Sequence, residues 1–471
     1  MTPPGSRRGS PSCASAGPNG SRRERGRDDD RLGGNGCDRW KIFAVGSATR
    51  EAQMKRQSKL ALVIFAGTLL AVSHGAATAQ TVAVATGAPG KVHLLPATME
   101  TTQLGWYDNA QKPVLTIKPG DSVIMETMMH FHDRLVPGAT LDMLLKIRQE
   151  VPGRGAHTLT GPIYVEGAEP GDVLKVKINR IVPRSYGVNM NYPGLAGQFP
   201  KEFPEGRVRY VYLDWDNKVA EFLPGVFIPL RPFPGILGVA RAEPGRYSTV
   251  PPGRYGGNLD LRELTAGSTL YLPVFVKGAL LWASDAHAAQ GNGEINLTGI
   301  ETAFREFNIT VDVIKGRSLE WPRAETPTHW LTLGYDEDLN KALEILKSET
   351  VKFITEERRV AAPDAQRIMM QRWDCRISEV VDIVKGTFCF NPKDARARPP
   401  VGSNADLNKA MDAASMAMIN LLAEKRQLDR LDAYGLASVA MDCRIAPPTG
   451  SEVAVHCLTP KSLWRTPART Q

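Results

Sequence analysis

The chain has 471 residues, 42% hydrophobic and 23% charged, with 43 Gly, 34 Pro and a formal net charge of +8. This balance excludes a multi-span membrane protein, a coiled coil and a wholly disordered chain, and the Gly and Pro content favours turns and short strands. The charge is uneven: residues 1–79 hold 13 Lys+Arg and 6 Asp+Glu, leaving 45 against 44 in residues 80–471. The clustered positive footprint of a nucleic-acid binder is therefore missing.

Residues 1–53 are rich in Arg, Gly, Ser and Asp and too poor in apolar residues to build a core, so a disordered or untranslated stretch is expected. Met54, Lys55, Arg56 and Lys59 then precede an apolar run over residues 60–72, followed by Ala77-Thr78-Ala79. A basic start, a short apolar run and an A-x-A site read as a secretory signal peptide over 54–79, with Met54 as the expected start and cleavage near Ala79. The run falls short of the ~20 residues of a membrane span. The mature chain is thus expected to be exported, periplasmic or secreted, with no membrane span.

Residues 80–324 read as a β-rich, mainly antiparallel, sandwich-like core. Segments 114–118, 121–127, 163–166, 172–181, 208–213, 269–276 and 308–314 are β-prone and alternate with turn signals such as Pro119-Gly120 and Glu169-Pro170-Gly171. A helical period at 140–148 reads as a brief insertion.

Four polar stretches in this core could carry chemistry. His130 and His132 stand at i, i+2, a metal-ligand spacing on a strand, as in a cupin-like metal oxidase; solvated surface histidines are the favoured reading. His157 and Glu166 can reach a site from one strand and its approach loop. Asn258 and Asp260, in Gly256-Gly257-Asn258-Leu259-Asp260, stand beside a site or cap a Gly-rich turn. The densest stretch, residues 282–294, reads as polar groups at the end of an apolar strand over 270–281. Asp285 and His287 are two apart and share a strand face, which suits a carboxylate–imidazole pair that binds a metal or orients the imidazole. Gly291 and Gly293 allow close approach of a ligand, and Glu294 returns a carboxylate where a general base is needed. The plain alternative is a β-turn with local hydrogen bonds.

Residues 325–471 read as an α+β region of the same catalytic unit. Helix candidates at 338–356 and 406–424 belong to a duplication with an offset of 68: Asp338-Leu339-Asn340-Lys341-Ala342 recurs as Asp406-Leu407-Asn408-Lys409-Ala410, and Asp374-Cys375-Arg376-Ile377 as Asp442-Cys443-Arg444-Ile445. Cys389 matches Cys457. The repeat is read as a helix–helix–hairpin unit, structural and without chemistry. Of six cysteines, Cys13 and Cys37 lie in the leader; the other four, in an exported chain, are consistent with two disulfides. Pairing across each hairpin, Cys375–Cys389 and Cys443–Cys457, comes first; pairing equivalent positions between copies is the alternative.

No G-x-S-x-G elbow, H-E-x-x-H helix or P-loop is present. Instead, the run from His157 to Asp172, the segments at 232–240, 256–260 and 270–274, and Gly278-Ala279-Leu280 leading into Asp285–x–His287 and Glu294 together resemble the acetamidase/formamidase family, over about residues 93–315. The resemblance implies hydrolysis of short linear amides to carboxylate and ammonia, on a β-rich fold, in a homo-oligomer with a bound divalent metal, zinc or calcium. The family pattern falls on Asp285, His287, Gln290 and Glu294. The resulting expectation has Glu294, Asp285 and His287 catalytic, Gln290, Asn258 and Asp260 at the substrate, and Asp285, His287, His157 and Glu166 at the metal. Two positions depart from the family: Ser284 replaces Gly, and Asn292 replaces an Asp that could be a ligand. The Asn292 change favours the rival reading, a non-catalytic exported binding protein on the same fold.

Overall fold

The structure is a computed structural model that describes residues 90–393, apart from 152 and 195, then 406–448 and 453–464. The leader and signal-peptide readings lie outside the described residues.

Each β-prone segment named above falls in a strand, and nearly all pairing is antiparallel. Among the described residues, the strands form two eleven-stranded sheets and a two-stranded ribbon. One buried apolar cluster takes Val123, Val176, Leu270 and Leu331 from the first sheet and Ile163, Leu237 and Trp282 from the second. Alternating strand residues from two sheets thus share one interior, as sandwich packing requires. The helical period at 140–148 is realised as helix Leu141–Glu150, with Thr140 as its N-cap.

Two sequence expectations change here. The apolar run 270–281 is not one strand. It divides into Thr269–Pro273 in the first sheet and Leu281–Ala289 in the second, with the chain crossing between sheets at Ala279 and Leu280, both in the left-handed region. Residues 282–289 of the dense polar stretch therefore lie in a strand buried at all nine positions, and only 290–294 fall in the connection after it. Nor do His130 and His132 lie on a strand. His130–Asp133 form one helical turn in which Phe131, His132 and Asp133 have φ of 58°, 54° and 59°.

The first sheet runs on into the C-terminal region, where each half consists of a long helix, a shorter helix and two strands. Helices Leu339–Arg358 and Leu407–Arg426 are capped by Asp338 and Asp406, whose carboxylates accept from the N–H groups of Asn340 and Asn408. The two caps also hold each other. Asn340 Nδ2 donates to Asp406 (3.0 Å) and Asn408 Nδ2 to Asp338 (2.8 Å), while each asparagine oxygen accepts from the first helical N–H of the other half. Strands Cys375–Ile377 and Asp442–Ile445 pair with Arg376 opposite Arg444, so equivalent residues meet across a local two-fold. Both disulfides lie within hairpins, Cys375–Cys389 and Cys443–Cys457, between directly opposed residues.

Candidate active site

The strand Leu281–Ala289 pairs along one side with Phe233–Val239, from Leu281 to His287. On its other side it changes partner. Leu281 and Ala283 face Thr158–Val165, whereas Ala286 to Ala289 face Ile300–Thr302. Ser284 and Asp285 fall at the change, where the ladder on that side is interrupted. Asp285 sits there with φ 52°, and Asp260 (42°) and Glu294 (49°) are also left-handed non-glycine residues. Such conformations cost free energy and collect at functional sites. Gly235, opposite this point, has no room for a side chain: a Cβ would lie 2.2 Å from Asp285 Oδ2 and 2.7 Å from Asp260 Oδ1.

Three imidazoles converge on Asp285. His130 Nε2 is 2.9 Å from Oδ1, His157 Nε2 is 3.8 Å from the same oxygen, and His287 Nε2 is 3.5 Å from Oδ2. His287 also lies 2.9 Å from Glu301, its cross-strand partner, 3.6 Å from Glu294 and, through Nδ1, 3.5 Å from Asp260. His157 turns Nδ1 to Thr249 Oγ1 at 3.0 Å. The whole group is buried, and the side chains most open to solvent are His157 (10%) and His130 (8%), against 1% for His287. Access is therefore from the His130–His157 side. The large cavity of about 640 Å³ lined by Arg241, Arg254, Trp321 and Lys341 has none of these groups in its wall.

Of the expected site residues, the fold brings together Asp285, His287, His157, Glu294 and Asp260. Gln290 adjoins them, donating to the Asp260 carbonyl at 3.2 Å, and Asn258 is buried two residues before Asp260 with its side-chain oxygen free of donors. Glu166 is a correction. It is exposed and lies beyond the far end of Thr158–Val165, whereas His157 precedes its start. At ~3.3 Å per residue, the length of that strand separates them. His132 is half-buried outside the cluster, so the paired-histidine oxidase reading fails. His130, read as a solvated surface residue, is instead 7% exposed and in contact with Asp285.

Three carboxylates were missed. Glu301 sits in a three-residue strand with no motif around it. Glu379 and Asp382 come from the connection between strands Cys375–Ile377 and Lys385–Pro392, and are 0% and 6% exposed. That connection is stitched to the site loop: Gly293 N–H donates to Ser378 O (2.8 Å) and Val380 N–H to Gly293 O (3.0 Å). Asp382 lies beside Asp260. A usable signal did exist. At the offset of 68, Ser378-Glu379 and Asp382 correspond to Ala446-Pro447 and Gly450, so the acids occur only where the two copies differ.

The electrostatics follow from burial and crowding. Burial alone would raise Asp285, yet His287, His157 and His130 hold it far below the usual carboxylate range. Burial opposes charging of His287, but Glu301 and Asp285 push it up to about 10. Burial takes His157 down to about 4, so it is neutral at pH 7. Burial, then Asp260 and Asp382, raise Glu294 well above the carboxylate range; burial and Asp285 do the same to Asp260. In the chelated protein, every one of these groups that titrates above pH 6.5 binds its proton more tightly folded than unfolded. Stability should accordingly fall as pH rises from about 6.5 to about 10. Metal ion should flatten that decline, because it takes the protons' place. Urea unfolding with and without chelator checks this; a flat chelated curve contradicts it.

The donor set suits a divalent ion. His130, His157 and Asp285, then Asp285, His287 and Glu301, then Asp260, His287 and Glu294 each offer ligand atoms within 4.8 Å of one another. His287 Nδ1 and both Asp260 oxygens are buried without a hydrogen-bond partner, while His287 Nε2 has only Glu301 Oε2 at 2.9 Å. Ligands ~2.0–2.5 Å from one ion stand at about such mutual spacing, and buried polar atoms left unpaired are costly unless something binds them.

The two departures from the family pattern are also accounted for. Ser284 Oγ donates to Thr158 O at 2.7 Å. Asn292 Nδ2 donates to Asp442 Oδ1 at 3.0 Å, in the second C-terminal half, where Asp442 also meets Arg262 and Arg444. An Asp at 292 would set acceptor against acceptor. Asn292→Asp should therefore lower stability by about 1–3 kcal/mol, and adding Asp442→Asn should recover part of it, as read from unfolding midpoints.

The sequence model of the acetamidase/formamidase family matches residues 98–245 and 241–330. Among curated relatives, the acetamidase of Mycolicibacterium smegmatis is 32% identical, the match covering 34% of this chain and 54% of that one. The formamidase of Methylophilus methylotrophus is 27% identical, covering 43% and 61%. The chain thus spans little more than half the length of these relatives. Solved structures match more fully. A predicted acetamidase/formamidase from Thermoanaerobacter tengcongensis is 30% identical with a TM-score of 0.58, covering 64% of this chain and 96% of that one. An acetamidase from Bacillus halodurans is 28% identical with a TM-score of 0.57, covering 64% and 97%.

Proposed function

The chain belongs to the acetamidase/formamidase family, and from that premise we propose that it hydrolyses the C–N bond of small linear amides, of the formamide and acetamide class, to carboxylate and ammonia. The observation that carries this reading is the convergence of three imidazoles on Asp285 at the break in the sheet, with Glu294 and Glu301 on the same imidazole. So closed a site, with its most open side chains only 8–10% exposed, favours a substrate of a few heavy atoms.

Asp285 and His287, with His157, are the residues that would hold a divalent ion, zinc or calcium. When bound, such an ion polarises a carbonyl and acidifies a water. Asp285 supplies full negative charge at neutral pH and His157 a neutral ring nitrogen, the forms that ligands need. Glu301 fixes the ring of His287 from across the strand pair. Glu294, 3.6 Å from His287 Nε2, takes the proton from the attacking water and returns it to the leaving nitrogen. Gln290, Asn258 and Asp260 border the substrate's place. Burial, then Asp260 and Asp382, raise Glu294; a cation held beside it would favour its charged form, the form a base needs.

Ammonia release from formamide, acetamide and larger amides, with and without chelator, tests the reading. Saturable binding without ammonia would restore the non-catalytic rival. That rival has lost its main support, since Asn292 is matched to Asp442. We further place the mature protein outside the cytoplasm, as a homo-oligomer. Two disulfides call for an oxidising compartment, and no helix among the described residues is long and apolar enough to cross a membrane. N-terminal sequencing and sedimentation of the native protein check these points.

A further inference from the structure

We propose that His130 is a working residue of this site, and that Asp133 and Arg184, which stand outside the cluster, are positioning residues that hold it there. The inference rests on the amidase reading only for its activity measurement.

His130 makes the shortest contact of any imidazole with Asp285, 2.9 Å, lies 3.6 Å from Glu301, and packs edge-on against His157 with ring centres 5.2 Å apart. It reaches that place from an unfavourable turn. Phe131, His132 and Asp133 are consecutive non-glycine residues in the left-handed region, where Cβ crowds the backbone carbonyl. Left to itself, the turn would relax and withdraw the ring. Several contacts prevent this. Phe131 is buried beside Leu135, Val188 and Met190, and its N–H donates to Ala156 O. His132 N–H donates to Thr158 Oγ1 at 2.8 Å.

The decisive lock is Asp133. Its carboxylate accepts from Met129 N–H at 2.7 Å, closing the turn on itself, and from Nη1 and Nη2 of Arg184 at 2.8 Å each, one on each oxygen. Arg184 is anchored in turn, its N–H donating to Ala303 O at 2.7 Å, two residues after Glu301. The pair therefore ties the turn carrying His130 to the end of the strand carrying Glu301, the two carboxylates Asp285 and Glu301 both lying within 3.6 Å of His130 Nε2. A bidentate Arg–carboxylate fork fixes orientation as well as distance, which a single contact would not.

The experiment uses the full mature chain with Arg184→Ala, His130→Gln, Arg184→Ala/His132→Gly and, as control, Arg180→Ala, whose ion pair with Glu306 is on the exposed strand nearby. Two quantities are read: kcat for acetamide, and zinc affinity by chelator competition. Arg184→Ala is expected to lower each at least tenfold, approaching His130→Gln, with KM changed less than kcat. Arg180→Ala should change neither. Glycine at 132 accepts the left-handed turn without a clamp, so the double variant should regain several-fold of what Arg184→Ala loses. If Arg184→Ala leaves both quantities within twofold of wild type, or if the glycine change rescues nothing, the positioning role is overturned. If the wild type releases no ammonia from any amide while the zinc series behaves as described, the amidase reading fails and this inference stands.

Discussion

Asp285→Asn should reduce turnover by at least about 10³-fold and strip the protein of its ion on dialysis. Asp285 is the one side chain that all three imidazoles approach, at 2.9, 3.8 and 3.5 Å. An asparagine keeps the volume but removes the charge and turns an NH₂ group toward nitrogens that need an acceptor or an ion. Ammonia release and metal content of the purified variant measure both consequences. Full metal content with wild-type turnover would sink the assignment. Removing the centre of a buried charge network also costs about 3–5 kcal/mol of stability, so the variant could fail for want of folding. His157→Gln guards against that. His157 is neutral at pH 7, and its loss leaves no unpaired charge behind. It should still weaken metal binding by 10–100-fold, on the order seen for groups around metal sites.

Glu294→Gln should lower kcat by about 10²–10⁴-fold, the range of a positioned general base, with KM and metal content little changed. The substitution preserves shape in a loop where Glu294 has φ 49° and where Gly293 is bonded to the Ser378–Val380 segment, so the fold should survive it. Glu294 lies 3.6 Å from His287 Nε2 and, unlike Asp285 and Glu301, outside any strand ladder, a setting it shares with Asp260 on the other ring nitrogen. That placement leaves it free to exchange a proton with a bound molecule. A folded, metal-replete Glu294→Gln protein with undiminished turnover would remove Glu294 from the chemistry and point to Glu301.

The legible part of this protein was local. Alternating β-prone segments, the helical period at 140–148 and the Asp-capped helices at 338 and 406 follow from short-range patterns, and each appears where its pattern lies. So does the pairing of cysteines fourteen residues apart across one hairpin. Asp285 and His287 were legible too, because two residues apart on a strand is a geometric statement in itself.

The errors share one cause: each needed a long-range partner. Glu166 and Glu301 are both acids next to apolar strands, and nothing local distinguishes them. Register decides. Glu301 falls opposite His287, while Glu166 falls just past the end of its strand and is exposed. A one-residue slip would have turned Glu301 to the other face. His130 looked like a surface residue because its left-handed turn, locked by Arg184 from 54 positions away, has no signature in the sequence around it.

By itself, then, the sequence determined the β-rich class, the repeat and the family, and ranked the cysteine pairing that the fold adopts first, since all of these are written in neighbouring residues or in long ordered motifs. Tertiary structure decided which further groups join the site, adding His130, Glu301, Glu379 and Asp382 and leaving Glu166 out. It gathers residues from positions 130 to 382 at the point where one strand changes partners, and it pairs the buried Asn292 with Asp442. The physical reason is that hydrogen-bond ladders and helix periods act over a few residues, whereas a buried cluster of like charges exists only where the whole fold holds it together against its own repulsion.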